Sequence, residues 1–175
     1  MKNKKSYIVL LIIIILLILV TIFVSERCGV STSKLEQDAR KSQRISADWL
    51  VAKDTTNEIG ALLFYDKDLN SHTFSIYLKR DGFYYGYFFY SGGSLGAIES
   101  GIQGFSYEGK GMALFSMNEK KVAKIEVDSG EMVETITVNP FEPFSIIIPS
   151  YNNDNSISLY TSDGEEVAID NIMGY

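Results

Sequence analysis

The chain has 175 residues, 16 basic and 22 acidic side chains, a net charge of −6 and one cysteine. Three lysines precede an apolar N-terminal run, so the remainder holds 13 basic against 22 acidic residues, a net of −9. That balance lacks the basic footprint that nucleic acid or an anionic surface requires, and a single cysteine excludes any internal disulfide.

Residues 1–24 read MKNKKSYIVLLIIIILLILVTIFV, and from Tyr7 to Val24 no side chain is charged. As a helix this run is roughly 27 Å long at about 1.5 Å per residue, close to the hydrocarbon thickness of a bilayer. The expectation is a transmembrane helix over 7–24 in contact with the lipid bilayer. A cleaved signal peptide would have a shorter apolar region ending in a small-x-small site. Lys2, Lys4 and Lys5 precede the run, while Glu26 and Arg27 follow it and cancel. The positive-inside rule then places residues 1–6 in the cytoplasm and residues 25–175 outside the cell membrane.

Cys28 follows Ser25-Glu26-Arg27, which departs from the small or apolar residues that precede a lipidated cysteine. It reads as a passive thiol. With no disulfide and no N-x-Ser/Thr acceptor, the chain fits a bacterial surface better than a eukaryotic secretory route. Residues 25–45 read as a polar, partly helical stalk, with helix formers from Lys34 to Arg44 and Ser33 as N-cap with Glu36 three later. Residues 46–175 form the domain.

From Asp48 onward, short β-branched and aromatic runs alternate with turn signals. The expected strands are 48–53, 59–65, 73–80, 83–90, 102–107, 112–117, 122–128, 132–138, 144–148, 156–161 and 166–170. Their spacing predicts an all-β antiparallel sandwich or barrel-like domain. Gly109–Gly111 could divide the strands between two sheets. The run Ile59–Tyr65 is apolar at both parities, which predicts cover on both faces.

Two hairpins can be registered from Asp-Gly turns. Asp163-Gly164 pairs Ser162 with Glu165 and Tyr160 with Val167. Asp81-Gly82 pairs Leu78 with Tyr85, Ile76 with Tyr87 and Phe74 with Phe89 on a core face. The other face carries Tyr77 across from Gly86, with Tyr84, Phe88 and Tyr90 beside it. Tyr77, Tyr84, Phe88 and Tyr90 are the candidate binding residues, because tyrosines present an apolar body and a polar tip to sugars and protein partners.

Other motifs are weaker. Gly104–Gly111 approaches the phosphate-loop pattern, but Gly111 replaces the hydroxyl and a strand follows instead of a helix. Asp66, Asp68 and Asn70 open like a calcium loop, yet Ser71 and Tyr77 stand where Gly and Glu are required. Those three oxygen side chains are the one place where calcium could be held. His72 has no accompanying nucleophile signature, and no cofactor or catalytic residue is assigned. The Gly92–Gly101 stretch reads as a flexible loop.

The expected function is non-catalytic: binding or structural interaction in the cell envelope, as an accessory subunit or sensor, through a protein partner or a second copy. The alternative is an envelope hydrolase using a carboxylate pair on wall polymer.

Overall fold

A computed structural model describes residues 2–96, 101–149, 151 and 154–174, with the side chains of residues 2–6, 22 and 24–26 left aside. Helix α1 is Lys2–Arg27, and after a 3-10 turn at Thr32–Lys34 helix α2 is Leu35–Gln43. The strands are β1 (Leu50–Thr55), β2 (Ile59–Tyr65), β3 (His72–Lys79), β4 (Tyr87–Gly93), β5 (Ile102–Tyr107) and β6 (Gly111–Ser116). They continue as β7 (Val122–Asp128), β8 (Val133–Thr137), β9 (Phe144–Pro149), β10 (Ser156–Thr161), β11 (Glu166–Val167) and β12 (Asn171–Gly174). The domain is mostly β and sandwich-like, as expected, with three stacked sheets in place of two. Three four-stranded sheets are present, ordered β1-β2-β3-β4, β12-β5-β6-β9 and β11-β10-β7-β8. All pairings are antiparallel except β12 with β5.

The sheets stack because two strands, β2 and β6, are apolar at both parities. In β2, Ile59, Ala61, Leu63 and Tyr65 join Phe74, Ile76 and Leu78 of β3 against Phe105, Ala113, Phe115 and Ile147 of the middle sheet. The opposite parity, Leu62 and Phe64, packs with Tyr77 and Tyr87 beneath Leu35 and Ala39 of α2. In β6, Met112 and Leu114 turn the other way, onto Ile125 and Leu159 of the third sheet. Side chains alternate along a strand, so a strand covered on both faces must be apolar at every position. β2 and β6 are buried throughout, and the layers run α2, first sheet, middle sheet, third sheet.

The segment expected as a stalk is therefore folded onto the domain. Gly60 permits the close approach: a Cβ there would stand 2.8 Å from Leu35 Cδ1. Gln43 clasps β3, donating to the Phe74 carbonyl at 3.1 Å and accepting from the Thr73 hydroxyl at 2.9 Å. Ser33 does not cap α2, whose N-cap is Lys34 without a side-chain bond; Ser33 instead meets Ser31 within the 3-10 turn.

Both Asp-Gly registers need correction. Thr161 accepts from Gly164 through a three-residue loop with Gly164 at φ +84°, so Tyr160 pairs with Glu166 and Leu159 with Val167. That is a type I turn closed by a left-handed residue. Between β3 and β4 the slip is larger. Lys79 pairs with Tyr87, Leu78 with Phe88 and Tyr77 with Phe89, and Tyr90 is bulged out before Ile76 meets Ser91. An odd slip exchanges the two faces, so Tyr87 lies with Tyr77 under α2 and not with Ile76. Gly109–Gly111 is no sheet boundary, because the β5–β6 hairpin turns there. Residues 97–100 of the expected flexible loop lie outside the described residues.

The transmembrane helix expected over 7–24 is not shown. Among the described residues, no helix is both long and apolar enough to cross a membrane.

Candidate interaction surface

The stretch Phe83–Tyr90 begins outside its sheet. Residues 80–86 form an open loop, and β4 starts only at Tyr87. The cause is long-range. The segment leaving α1 crosses this loop and takes its backbone bonds. Tyr85 donates to the Arg27 carbonyl at 2.8 Å, Gly29 to Tyr85 at 2.6 Å, and Val30 and Tyr87 exchange bonds at 2.7 and 2.8 Å.

Two glycines permit the crossing. A Cβ on Gly29 would lie 2.4 Å from the Tyr87 carbonyl oxygen, and one on Gly86 would lie 2.8 Å from that of Val30. Gly86 also has φ +81°, a conformation L-residues disfavour. Its role is backbone approach, not the Tyr77 cover expected from the sequence.

The aromatic rings then sort by position. Tyr84 and Phe88 meet edge to face with centroids 5.8 Å apart. The Arg80 guanidinium lies 4.2 Å from the Phe88 ring and 5.6 Å from Tyr84. Arg27, in the last turn of α1, lies 5.7 Å from the Tyr84 ring and 4.2 Å from the Phe23 ring. Cations and rings thus alternate from Phe23 through Arg27, Tyr84 and Arg80 to Phe88. Such pairs are worth about 0.5–1 kcal/mol each where exposed. Phe83 and Tyr85 project beyond them, 79% and 69% exposed.

The four expected binding residues do not share a face. Tyr84 and Phe88 come together. Tyr90 packs edge to face on Tyr107 at 5.2 Å. Tyr77 is fully buried beneath α2 and donates its hydroxyl to Asp38 at 2.7 Å; burial and that carboxylate push its ionisation well above the ordinary tyrosine range. Phe83, Tyr85, Arg27 and Arg80 were missed. The available signal was Gly86, whose freedom marks a break in the strand.

The acids are engaged elsewhere. A groove of about 330 Å³ between α2 and β1 is lined in part by Glu36, Lys53 and Asp54. Glu36 accepts from Lys53 at 2.9 Å and from Arg40 at 3.0 Å. The Lys53 bond, against a smaller effect of burial and with help from Arg40, holds its carboxyl below the usual range. Asp54 accepts from the amides of Thr55 at 2.7 Å and Ile147 at 2.8 Å. A glycosidic acid needs a raised pKa to hold its proton, which Glu36 lacks.

Asp66 Oδ1 accepts from the Asn70 amide at 2.7 Å, capping its own turn. Among the described residues no three His, Cys, Asp or Glu side chains cluster to hold a metal ion. His72 is buried, accepting at Nε2 from the Leu95 amide at 3.2 Å, and burial lowers its pKa. Lys110 bonds Glu58 at 3.3 Å and Asp81 at 3.1 Å, so the phosphate-loop lysine braces two loops.

Comparison with protein-family models, with curated proteins and with solved structures finds no match to this chain.

Proposed function

We propose that the chain is a single-pass membrane protein that displays a non-catalytic β domain on the extracytoplasmic side, for binding or structural interaction in a bacterial envelope. One observation carries the reading: α1 is continuous from Lys2 to Arg27 and passes without a linker into backbone pairing with Tyr85 and Tyr87. Its described side chains from Tyr7 to Thr21 are all exposed, standing clear of the β layers. A helix apolar on every side, with no protein around it, is suited to lipid. The backbone helix covers the whole uncharged sequence 7–24, and the three N-terminal lysines orient it.

The binding part of the proposal rests on the aromatic edge. β4 is the last strand of its sheet, and Tyr84, Phe88 and Tyr90 border it. The acids described above serve as structural acceptors, which favours a binding domain over the carboxylate hydrolase. Cross-linking the intact protein in its own membrane and identifying what is attached tests this. A specific partner or a second copy joined through β4 is expected; hydrolysis of wall polymer by the pure protein, with no specific adduct, would overturn it.

A further inference from the structure

The loop Arg80–Gly86 has exposed aromatic tips that no layer of the domain covers. Phe83 is 79% exposed and Tyr85 69%, an unusual pairing of size and exposure for a loop held at Tyr85 by two backbone bonds. What covers them follows from where the chain ties the loop. Tyr85 is bonded to the carbonyl of Arg27, the last residue of α1. Arg27 lies three residues past Val24, roughly 4.5 Å along the axis at about 1.5 Å per residue. The polar layer on each side of a bilayer is on the order of 5–8 Å deep. With 7–24 in the hydrocarbon, Tyr85 is at headgroup depth. The Tyr84 ring stands level with the final turn of α1, since Arg27 reaches both it and Phe23.

We infer that Phe83, Tyr84 and Tyr85 form an interfacial foot, seated in the headgroup layer of the bilayer that α1 spans, with Arg27 and Arg80 facing lipid phosphates. The inference rests on the anchor reading above and extends it to a second membrane contact. The chemistry suits that occupant. Aromatic rings with one apolar and one polar end concentrate at the membrane–water boundary. Guanidinium groups pair with phosphate oxygens in bidentate fashion. The one acidic side chain described in the loop, Asp81, is drawn to Lys110 at 3.1 Å. A foot beside the helix gives the domain two attachments, which limits its rotation about α1 and holds β4 at a constant tilt to the membrane.

The test uses the full chain in vesicles of phosphatidylcholine and phosphatidylglycerol, with and without bromine near the upper end of the acyl chains. The native chain has a single tryptophan, Trp49, half-buried beside α2; it supplies the baseline. Phe83→Trp adds a reporter at the foot, and Phe23→Trp adds one in α1. The emission added by Phe83→Trp should fall by on the order of half in brominated vesicles, as expected for a ring at the interface, while Trp49 is unchanged. If Phe23→Trp is quenched and Phe83→Trp is not, the foot is wrong and the anchor stands; a protein partner would then be the cover. If neither is quenched, the anchor fails and the foot fails with it.

Discussion

The Tyr77 hydroxyl donates to the Asp38 carboxylate at 2.7 Å, joining β3 to α2 across the outer face of the first sheet. The bond makes the segment after α1 part of the fold. Tyr77→Phe removes the bond and keeps the ring in its pocket. A loss of about 1 kcal/mol is expected for a hydrogen bond whose acceptor can turn to water, read from urea unfolding of the full chain in detergent. Asp38→Ala should cost more, because the buried hydroxyl is left without its acceptor.

Gly60 and Leu35 are coupled by space. Gly60→Ala sets a methyl 2.8 Å from Leu35 Cδ1, and overpacking of this kind costs about 1–3 kcal/mol. Leu35→Ala alone leaves a cavity worth about 2–5 kcal/mol. The double variant should be destabilised by less than the sum, since each change relieves the other. Strict additivity in unfolding midpoints would show that α2 does not rest on Gly60.

Asp54 closes an edge. β9 ends the middle sheet, and its Ile147 amide donates to the Asp54 carboxylate at 2.8 Å. Asp54→Ala leaves that amide without its acceptor, at about 1–3 kcal/mol. Hydrogen exchange at Ile147 should accelerate while Met112 and Leu114, inside β6, stay protected. Unchanged exchange at Ile147 would show that another group serves the edge.

His72 makes stability depend on pH. Burial holds its folded pKa below the ordinary 6.5, so between the two values the unfolded chain binds more protons. Its contribution is complete above about pH 6.5 and is lost as pH falls through the folded pKa. The urea midpoint should drop on acidification in that window, and His72→Gln should flatten the drop. An identical slope in the variant would assign the effect to other groups.

Tyr84→Lys with Phe88→Lys separates binding from packing. Both rings border the β4 edge and neither is in the three cores. The pair of changes should lower stability by about 1.5–3 kcal/mol, from the three cation–ring contacts removed, leave the chain folded, and abolish any dimer seen by sedimentation or any cross-linked partner. Unfolding of the variant would assign the rings to packing.

Much was legible without coordinates. Patterns of apolar residues and turn signals located eleven strand-forming segments, because burial and alternation are local in sequence. The both-parity run Ile59–Tyr65 announced cover on two faces, and β2 is buried throughout. What covers it was not legible, since α2 is short and polar and buries just Leu35 and Ala39, docking otherwise through polar contacts of Glu36, Asp38, Arg40 and Gln43. Of the segment expected as one strand over 166–170, only Glu166 and Val167 form β11; β12 follows it at Asn171–Gly174, in a different sheet, and was not expected. Asp170 effects that change, accepting from the Ile102 amide at 2.8 Å so that the chain runs on parallel to β5.

By itself the sequence determined the strand content, the uncharged N-terminal run and the acidic balance, all of which depend on residues near one another in the chain. Only the tertiary structure decided the register of Phe83–Tyr90. Asp81-Gly82 supports a tight hairpin locally, but the Arg27–Val30 segment, more than fifty residues earlier, competes for the same backbone groups at Tyr85 and Tyr87 and wins them. Gly29 and Gly86 allow that crossing, and the slip it imposes turns Tyr87 under α2 beside Tyr77 and leaves Phe83, Tyr84 and Tyr85 beside the end of α1.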